Sequence, residues 1–327
     1  MPEIIAANHS TDALNRAIAR LRAGELVAIP TETVYGLAAD ATNGEAVAKI
    51  FATKQRPSFN PLICHVDGVV MAQEYGKFGT VAERLANTFW PGPLTLVVPV
   101  RADSGIHDLV TAGLGSVGLR CPRGFSRQVI SAFGRPLAAP SANRSGRISP
   151  TTAQHVAEEF SGEDLLILDA GACEAGLEST IVKIDGNRLY LLRPGVITAE
   201  EIAEVAGMPV ELPPADGKVQ APGMMKSHYA PDAQVMLDCE ACPDGAAWLG
   251  FGNRVKPENA ATGLNLSETS NLVEAAANLY AYLKQLDESG ASLICVSPVP
   301  QEELGIAIND RLRRAAAPRT SKSGEAV

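Results

Sequence analysis

Between residues 10 and 22 apolar side chains recur at helical spacing, with Leu14, Ala17, Ile18 and Leu21 on one face and Gly24 just beyond as a stop. Val47, Ile50 and Phe51 mark a second helix over 44–53. Short apolar runs read as buried strands at 26–29, which ends at Pro30, and at 62–66, 94–98, 117–121, 165–168, 179–184 and 189–192. Thr151-Thr-Ala-Gln154 has the form of a capping box opening a helix toward Phe160, and Thr198-Ala-Glu-Glu201 caps another. Strands and helices alternate irregularly. The expected class is therefore α/β, a twisted mixed open sheet with helices packed over it.

The texture changes at Pro209. Residues 209–233 hold five prolines and little apolar periodicity, which reads as a linker too long for an ordinary turn. Beyond it, strands at 235–237, 246–249 and 293–296, a long helix over 267–286 and another near Ile308 predict a smaller α/β domain. The small, polar tail from Ala315 is expected to fray. The division is thus 1–208 for a first domain, 209–233 for a linker or lid, and 234–327 for a second domain. A length of 327 residues suits two cores better than one.

Composition narrows the class. The chain is 46% hydrophobic and 20% charged, ordinary for a globular protein. It starts without a basic region followed by an apolar run, and no stretch approaches the roughly 20 apolar residues of a membrane helix. A soluble cytoplasmic protein with no membrane role is expected. Six scattered cysteines read as small buried hydrophobes in a reducing compartment. Cys239-x-x-Cys242 has no second pair nearby, so no metal site is assigned. A net charge of −9 argues against a protein that coats nucleic acid. Yet no acidic residue falls between Asp108 and Glu158, where Arg120, Arg123, Arg127, Arg135, Arg144 and Arg147 lie. Either they form a site for a polyanion, or distant carboxylates pair with them in the fold.

Gly113-Leu-Gly115-Ser-Val-Gly118 matches G-x-G-x-x-G, but a strand ended by Pro122 follows it where a dinucleotide fingerprint needs a helix. Phosphate-loop, H-E-x-x-H and G-x-S-x-G motifs are absent. What remains is a set of polar islands beside strands or helix starts. Pro30-Thr-Glu-Thr-Val-Tyr-Gly-Leu37 follows a buried strand at once. Lys54-Gln-Arg56-Pro joins a compact cation to a planar fork, suited to polyphosphate, and Asn60 follows shortly. His65 sits in an apolar strand, and Trp90-Pro-Gly-Pro-Leu-Thr95 is a rigid turn. Pro140-Ser-Ala-Asn143-Arg-Ser-Gly, with Ser149, offers donors to an anion. Glu178-Ser179-Thr180 opens a strand, and Leu192-Arg193-Pro-Gly195 closes one.

In this order and spacing the islands resemble the YrdC-like threonylcarbamoyl-AMP synthases in their long, two-domain form. The resemblance runs through P-T-E-T-V-Y-G-L, K-x-R-P, F-W-P-G-P-L-T, S-x-x-L-R-x-P, A-P-S-A-N-x-S-G, E-S-T and L-R-P-G, and continues into Ala221-Pro-Gly-Met-Met-Lys-Ser-His228-Tyr229-Ala-Pro. It implies a YrdC-like first domain and a Rossmann-like second one. It further implies an L-threonylcarbamoyladenylate synthase, a nucleotidyltransferase that joins L-threonine, bicarbonate and ATP and releases pyrophosphate. The product would pass to downstream tRNA threonylcarbamoyl-transferase proteins, for modification beside the anticodon, and direct tRNA contact by this chain is left open. By the family pattern the threonine pocket uses Thr33, His65, Arg120, the backbone at Ala139, and Ser179. ATP meets Arg56, Asn60, Ser116, Ser141, Asn143, Ser149, Arg193 and Tyr229, the last closing over the site as part of a lid. Lys54 and Arg56 take the catalytic role of holding phosphate oxygens, with Mg²⁺ sharing that load. Ser116 stands where the family more often has threonine, which keeps the hydroxyl. Two other readings stay open: an RNA-binding module carried by the arginine-rich segment, and a carbamoyl-transfer factor of the hydrogenase-maturation kind.

Overall fold

A computed structural model describes residues 1–8, 10–214, 219–225 and 227–318. The chain divides into two compact units, neither of them one continuous stretch. The first comprises 1–144, 150–174 and 178–224, and the second 145–149, 175–177 and the chain from Met225 onward.

The first unit is built on strands β1 (Glu3–Ala6), β2 (Val27–Ile29), β3 (Gly36–Asp40), β4 (Ile63–His65), β5 (Leu94–Pro99), β6 (Ser116–Arg120), β7 (Leu137–Ala138), β8 (Leu166–Asp169), β9 (Thr180–Asp185), β10 (Arg188–Arg193) and β11 (Val210–Glu211). They form one sheet in the order β1-β8-β2-β3-β7-β4-β6-β5-β9-β10-β11. Pairings such as β4–β6 and β5–β9 are parallel, whereas β2–β3, β4–β7 and β5–β6 are antiparallel. The mixed open sheet expected from the irregular alternation is therefore present.

Strand side chains alternate between two cores. On β3, Leu37 and Ala39 join a cluster with Val47, Ile50, Leu85 and Ala86, contributed by helices Gly44–Lys54 and Thr80–Phe89. Ala38 faces the other way, toward Ala13, Ala17 and Leu21 of helix Thr11–Arg22 and Val129 and Ile130 of helix Phe125–Phe133. Helices thus cover both faces, which leaves strand ends and their loops to form sites.

In the second unit β12 (Gln234–Met236), β13 (Ala247–Gly250), β14 (Thr262–Asn265) and β15 (Leu293–Val296) make a parallel sheet in the order β12-β15-β13-β14. Helix Leu272–Glu288 crosses over between β14 and β15, and Leu304–Ala316 follows β15.

Several boundaries differ from the sequence expectation. The helix after Pro150 starts at Ala153 with Thr152 as its cap, Thr152 Oγ1 accepting from the His155 amide at 3.2 Å, so Thr151 caps nothing. The long helix of the second unit starts at Leu272 rather than 267, because Asn271 accepts from the amides of Val273 and Glu274. Ala315 and Ala316 belong to the last helix, and the rest of the expected frayed tail lies outside the described residues beyond 318. Among the described residues no helix is long and apolar enough to cross a membrane.

Candidate functional site

Strands β4 and β6 run parallel, and their carboxyl ends set His65 directly beside Arg120. Carboxyl ends of parallel strands are where α/β sheets collect ligands. The octapeptide leaving β2 turns at once: Thr31 Oγ1 accepts from the amide of Thr33 at 3.2 Å and donates to the Val34 carbonyl at 2.6 Å. That turn carries Glu32 to Arg120, with Oε1 2.8 Å from Nη2 and both side chains 5% exposed. Glu32 Oε2 also accepts from the Arg123 amide at 3.0 Å. The ion pair is close but not aligned. Arg120 Nε and Nη2 and Glu32 Oε1 make no directed hydrogen bond among the described residues, and neither does His65 Nδ1. Burial, and then the nearby Arg120 charge, push His65 down to about 3, so its ring is neutral at physiological pH.

The other residues assigned to threonine lie on neighbouring segments, Ala139 at the amino end of β4. The Ala139 amide donates to the Ile63 carbonyl at 3.0 Å, and Thr33 is fully buried beside Thr31, the two hydroxyls 2.9 Å apart. Ser179 Oγ lies 2.7 Å from Thr95 Oγ1. Arg193 grips the Ser179 carbonyl through Nε and Nη2 at 3.1 and 3.0 Å, and its Nη1 reaches the Pro222 carbonyl at 3.4 Å.

A second cluster adjoins the octapeptide. Leu37 donates to the Pro140 carbonyl and Ala142 to the Tyr35 carbonyl, both at 2.7 Å, so the 140–143 loop is laced to Tyr35–Leu37 through the main chain. Lys54 is fully buried, and its Nζ donates to the carbonyls of Ser141 and Asn143. Burial, and then the Arg56 charge, lower its affinity for a proton well below the lysine norm, with Glu159 opposing. The sequence reading placed this amine on phosphate oxygens, but here it is engaged by backbone, where it holds the loop. Arg56 likewise donates from Nε to the Asn60 carbonyl at 3.1 Å and from Nη2 to the Pro61 carbonyl at 2.8 Å.

Three further residues are assigned to ATP. Ser116 opens β6 and shares a face with Gly118 and Arg120, but lies four residues from Arg120, roughly 13 Å at the strand rise. Ser149 and Tyr229 fall in the second unit. Tyr229 has a φ of 62° and is 1% exposed, with the Tyr280 ring 5.5 Å away and the Arg311 guanidinium over its face at 5.4 Å.

The arginine-rich segment is not one polyanion surface. Arg120, Arg135, Arg144 and Arg147 pair with Glu32, Asp40, Glu163 and Asp232, while Arg123 and Arg127 bond the carbonyls of Pro91 and Asp67. Distant carboxylates, the second reading above, account for most of it. Sequence reasoning assigned no role to Glu32 or Thr95, although Glu32 is the one acid of its octapeptide and Thr95 the one hydroxyl on β5. Among the described residues no group of three His, Cys, Asp or Glu is placed to hold a metal.

Two family models align with the chain: one described as telomere recombination over residues 19–195, and one described as the threonylcarbamoyl-AMP synthase C-terminal domain over 197–317. The chain belongs to the Sua5/YrdC family. Threonylcarbamoyl-AMP synthases from Pyrococcus abyssi and Bacillus subtilis are each 39% identical to it, over 92% and 93% of this chain and 93% of either relative. A crystal structure of P. abyssi Sua5 complexed with L-threonine superposes with a TM-score of 0.87 at 34% identity, covering 96% of this chain and 97% of that one. The family likeness thus embraces both units.

Proposed function

We propose that the protein condenses L-threonine, bicarbonate and ATP into threonylcarbamoyl-AMP, as a cytoplasmic nucleotidyltransferase. The observation that carries this reading is Arg120: a buried guanidinium, charge-balanced by Glu32, with Nε and Nη2 lacking directed partners at the carboxyl ends of β4 and β6. A buried planar fork beside a carboxylate, with donors not aligned to any partner among the described residues, suits the carboxylate of an amino acid. The P. abyssi relative crystallised with L-threonine supports threonine as a substrate.

The chemistry asks little covalent work of the chain. The amine of threonine adds to bicarbonate and loses water, giving a carbamate. A carbamate oxygen attacks the α-phosphorus of ATP, and pyrophosphate leaves. The protein contributes position and electrostatics. Arg120 orients the carboxylate, with Thr33, the backbone at Ala139 and Ser179 around the amino acid and His65 as a neutral polar neighbour. Arg193 and Thr95 hold Ser179 in place. Lys54 acts as a positioning residue, fixing the 141–143 loop for the nucleotide, and Arg56, Asn60, Ser116, Ser149 and Tyr229 complete the ATP assignment. The linker that follows β11 serves as a lid that keeps water from the carbamate. Mg²⁺ would arrive with the nucleotide and neutralise phosphate charge. The product feeds tRNA threonylcarbamoylation.

Purified protein with ATP should release pyrophosphate only when threonine and bicarbonate are both present. Equal release without threonine would overturn the assignment. Four of the six arginines behind the RNA-binding alternative pair with carboxylates, which weakens that reading.

A further inference from the structure

The smaller unit carries a polar row with no part in the reading above. Its parallel sheet delivers the carboxyl ends of β13, β14 and β15 to one edge, where such sheets hold ligands. Gly250 ends β13 there, with Asn265 in register on β14 and Ser297 one step beyond the Leu249–Val296 pair. The missing side chain at Gly250 matters. A methyl group would stand 2.7 Å from the Arg254 carbonyl oxygen, 3.0 Å from Trp248 Nε1 and 3.3 Å from Asn265 Nδ2.

Two buried polar groups at this edge have no hydrogen-bond partner among the described residues: the Trp248 indole N–H and the Ser297 hydroxyl, each on a residue 2% exposed. Leaving a buried donor unmade is costly, and an indole N–H can only donate. It needs an acceptor. A cavity of about 490 Å³ has Trp248 in its wall, together with Arg254, Lys256, Asn265 and Glu268. The stem of Lys256 lies over Gly263, and its Nζ reaches the Ala260 carbonyl at 3.1 Å, while Arg254 pairs with Glu240 at the surface. A guanidinium fork and an ammonium beside an unmade donor suit phosphoryl oxygens. The cavity is far larger than one phosphate ion, and Glu268 can accept from hydroxyls of an attached body.

We propose that this cavity is a second ligand site, distinct from the threonine pocket, which takes a small phosphorylated metabolite. Arg254 and Lys256 hold the phosphoryl group, and the Trp248 indole donates to it once the turn carrying the Arg254 carbonyl yields.

The chain has only two tryptophans, so its indole N–H signals report directly. Trp90 already donates to the Leu94 carbonyl at 2.7 Å and serves as an internal control. In ¹H–¹⁵N spectra of the full chain, assigned with Trp90→Phe, the probes are inorganic phosphate, ribose 5-phosphate and AMP, with citrate as a polyanion lacking phosphorus. The Trp248 signal should move saturably with the two organophosphates, and at roughly tenfold lower concentration than with inorganic phosphate. Arg254→Ala with Lys256→Ala, both surface changes, should weaken that response roughly tenfold or more. An unmoved Trp248 signal with every phosphorylated probe overturns the site. An undiminished response in the double variant, or a response to citrate alone, overturns the phosphoryl assignment, and equal potency of inorganic phosphate overturns the need for an organic body.

Discussion

Arg120 and Lys54 are both buried cations of the first unit, yet they are used in opposite ways. Arg120 has a carboxylate beside it and donors that make no aligned bond. Lys54 has its amine drawn into two backbone carbonyls of the neighbouring loop. A buried donor is expensive to leave unmade, so idle capacity at Arg120 points to a partner that comes and goes, and engaged capacity at Lys54 points to scaffold. Both residue types were legible in the sequence as candidates for anion binding. The packing sets them apart: the donors of one are engaged by backbone and those of the other are not.

The sharpest way to break that contrast is at Arg120. Arg120→Lys keeps a charge for Glu32 but not the fork, and should raise the threonine KM roughly 100-fold, about 2.7 kcal/mol, with little change in melting temperature. A KM within twofold of the parent would remove Arg120 from the threonine carboxylate. Lys54→Met should do the reverse and act first on stability. It orphans the carbonyls of Ser141 and Asn143, for a loss of about 2–4 kcal/mol in denaturant unfolding, and turnover falls through a raised ATP KM. If turnover vanished while unfolding stayed native-like, Lys54 would belong on the substrate after all.

His65 gives a milder effect with a definite sign. Its folded value of about 3 lies below the ordinary 6.5, so between those limits the unfolded chain binds a proton that the folded chain does not. Stability therefore rises with pH across that window and is lost as pH falls below the ordinary value, by about 2 kcal/mol at pH 5 relative to neutrality. Unfolding midpoints measured from pH 5 to 7 should show this slope, and His65→Asn should flatten it; an unchanged slope would assign it to other groups. The smallest effect is expected from Thr95→Val. Ser179 then keeps Arg193 but loses its hydroxyl partner, costing about 1 kcal/mol and raising the threonine KM roughly fivefold. No change would mean that Arg193 alone positions Ser179.

Much of the fold could be read from side-chain periodicity because helices such as Thr11–Arg22 carry both an apolar face and a side-chain cap. Helices Val69–Tyr75, Thr80–Phe89 and Phe125–Phe133 were not foreseen; each is preceded by a glycine that makes no side-chain cap, so the start signal is missing. Strand β3, Gly-Leu-Ala-Ala-Asp, has no β-branched residue and is a strand only because both faces are buried. In the site, the motifs named candidate side chains. What they could not give was pairing across the chain, such as Glu32 with Arg120 or Thr95 with Ser179, since contact between distant segments is set by sheet register.

The two units interleave along the chain, and this has a consequence for inheritance. Residues 145–149 and 175–177 are carried within the first unit's sequence but pack with the second: Gly146 accepts from the Ala230 amide, and a side chain on Gly176 would strike the backbone of Ala277. No single recombination point separates the units. A gene that gained or shed the second unit would have to rewrite both short strips in the first, and one of them directly follows the loop that Lys54 braces. A first unit that stands alone is therefore expected to carry other residues at those two strips, a mark by which one-unit and two-unit chains can be told apart.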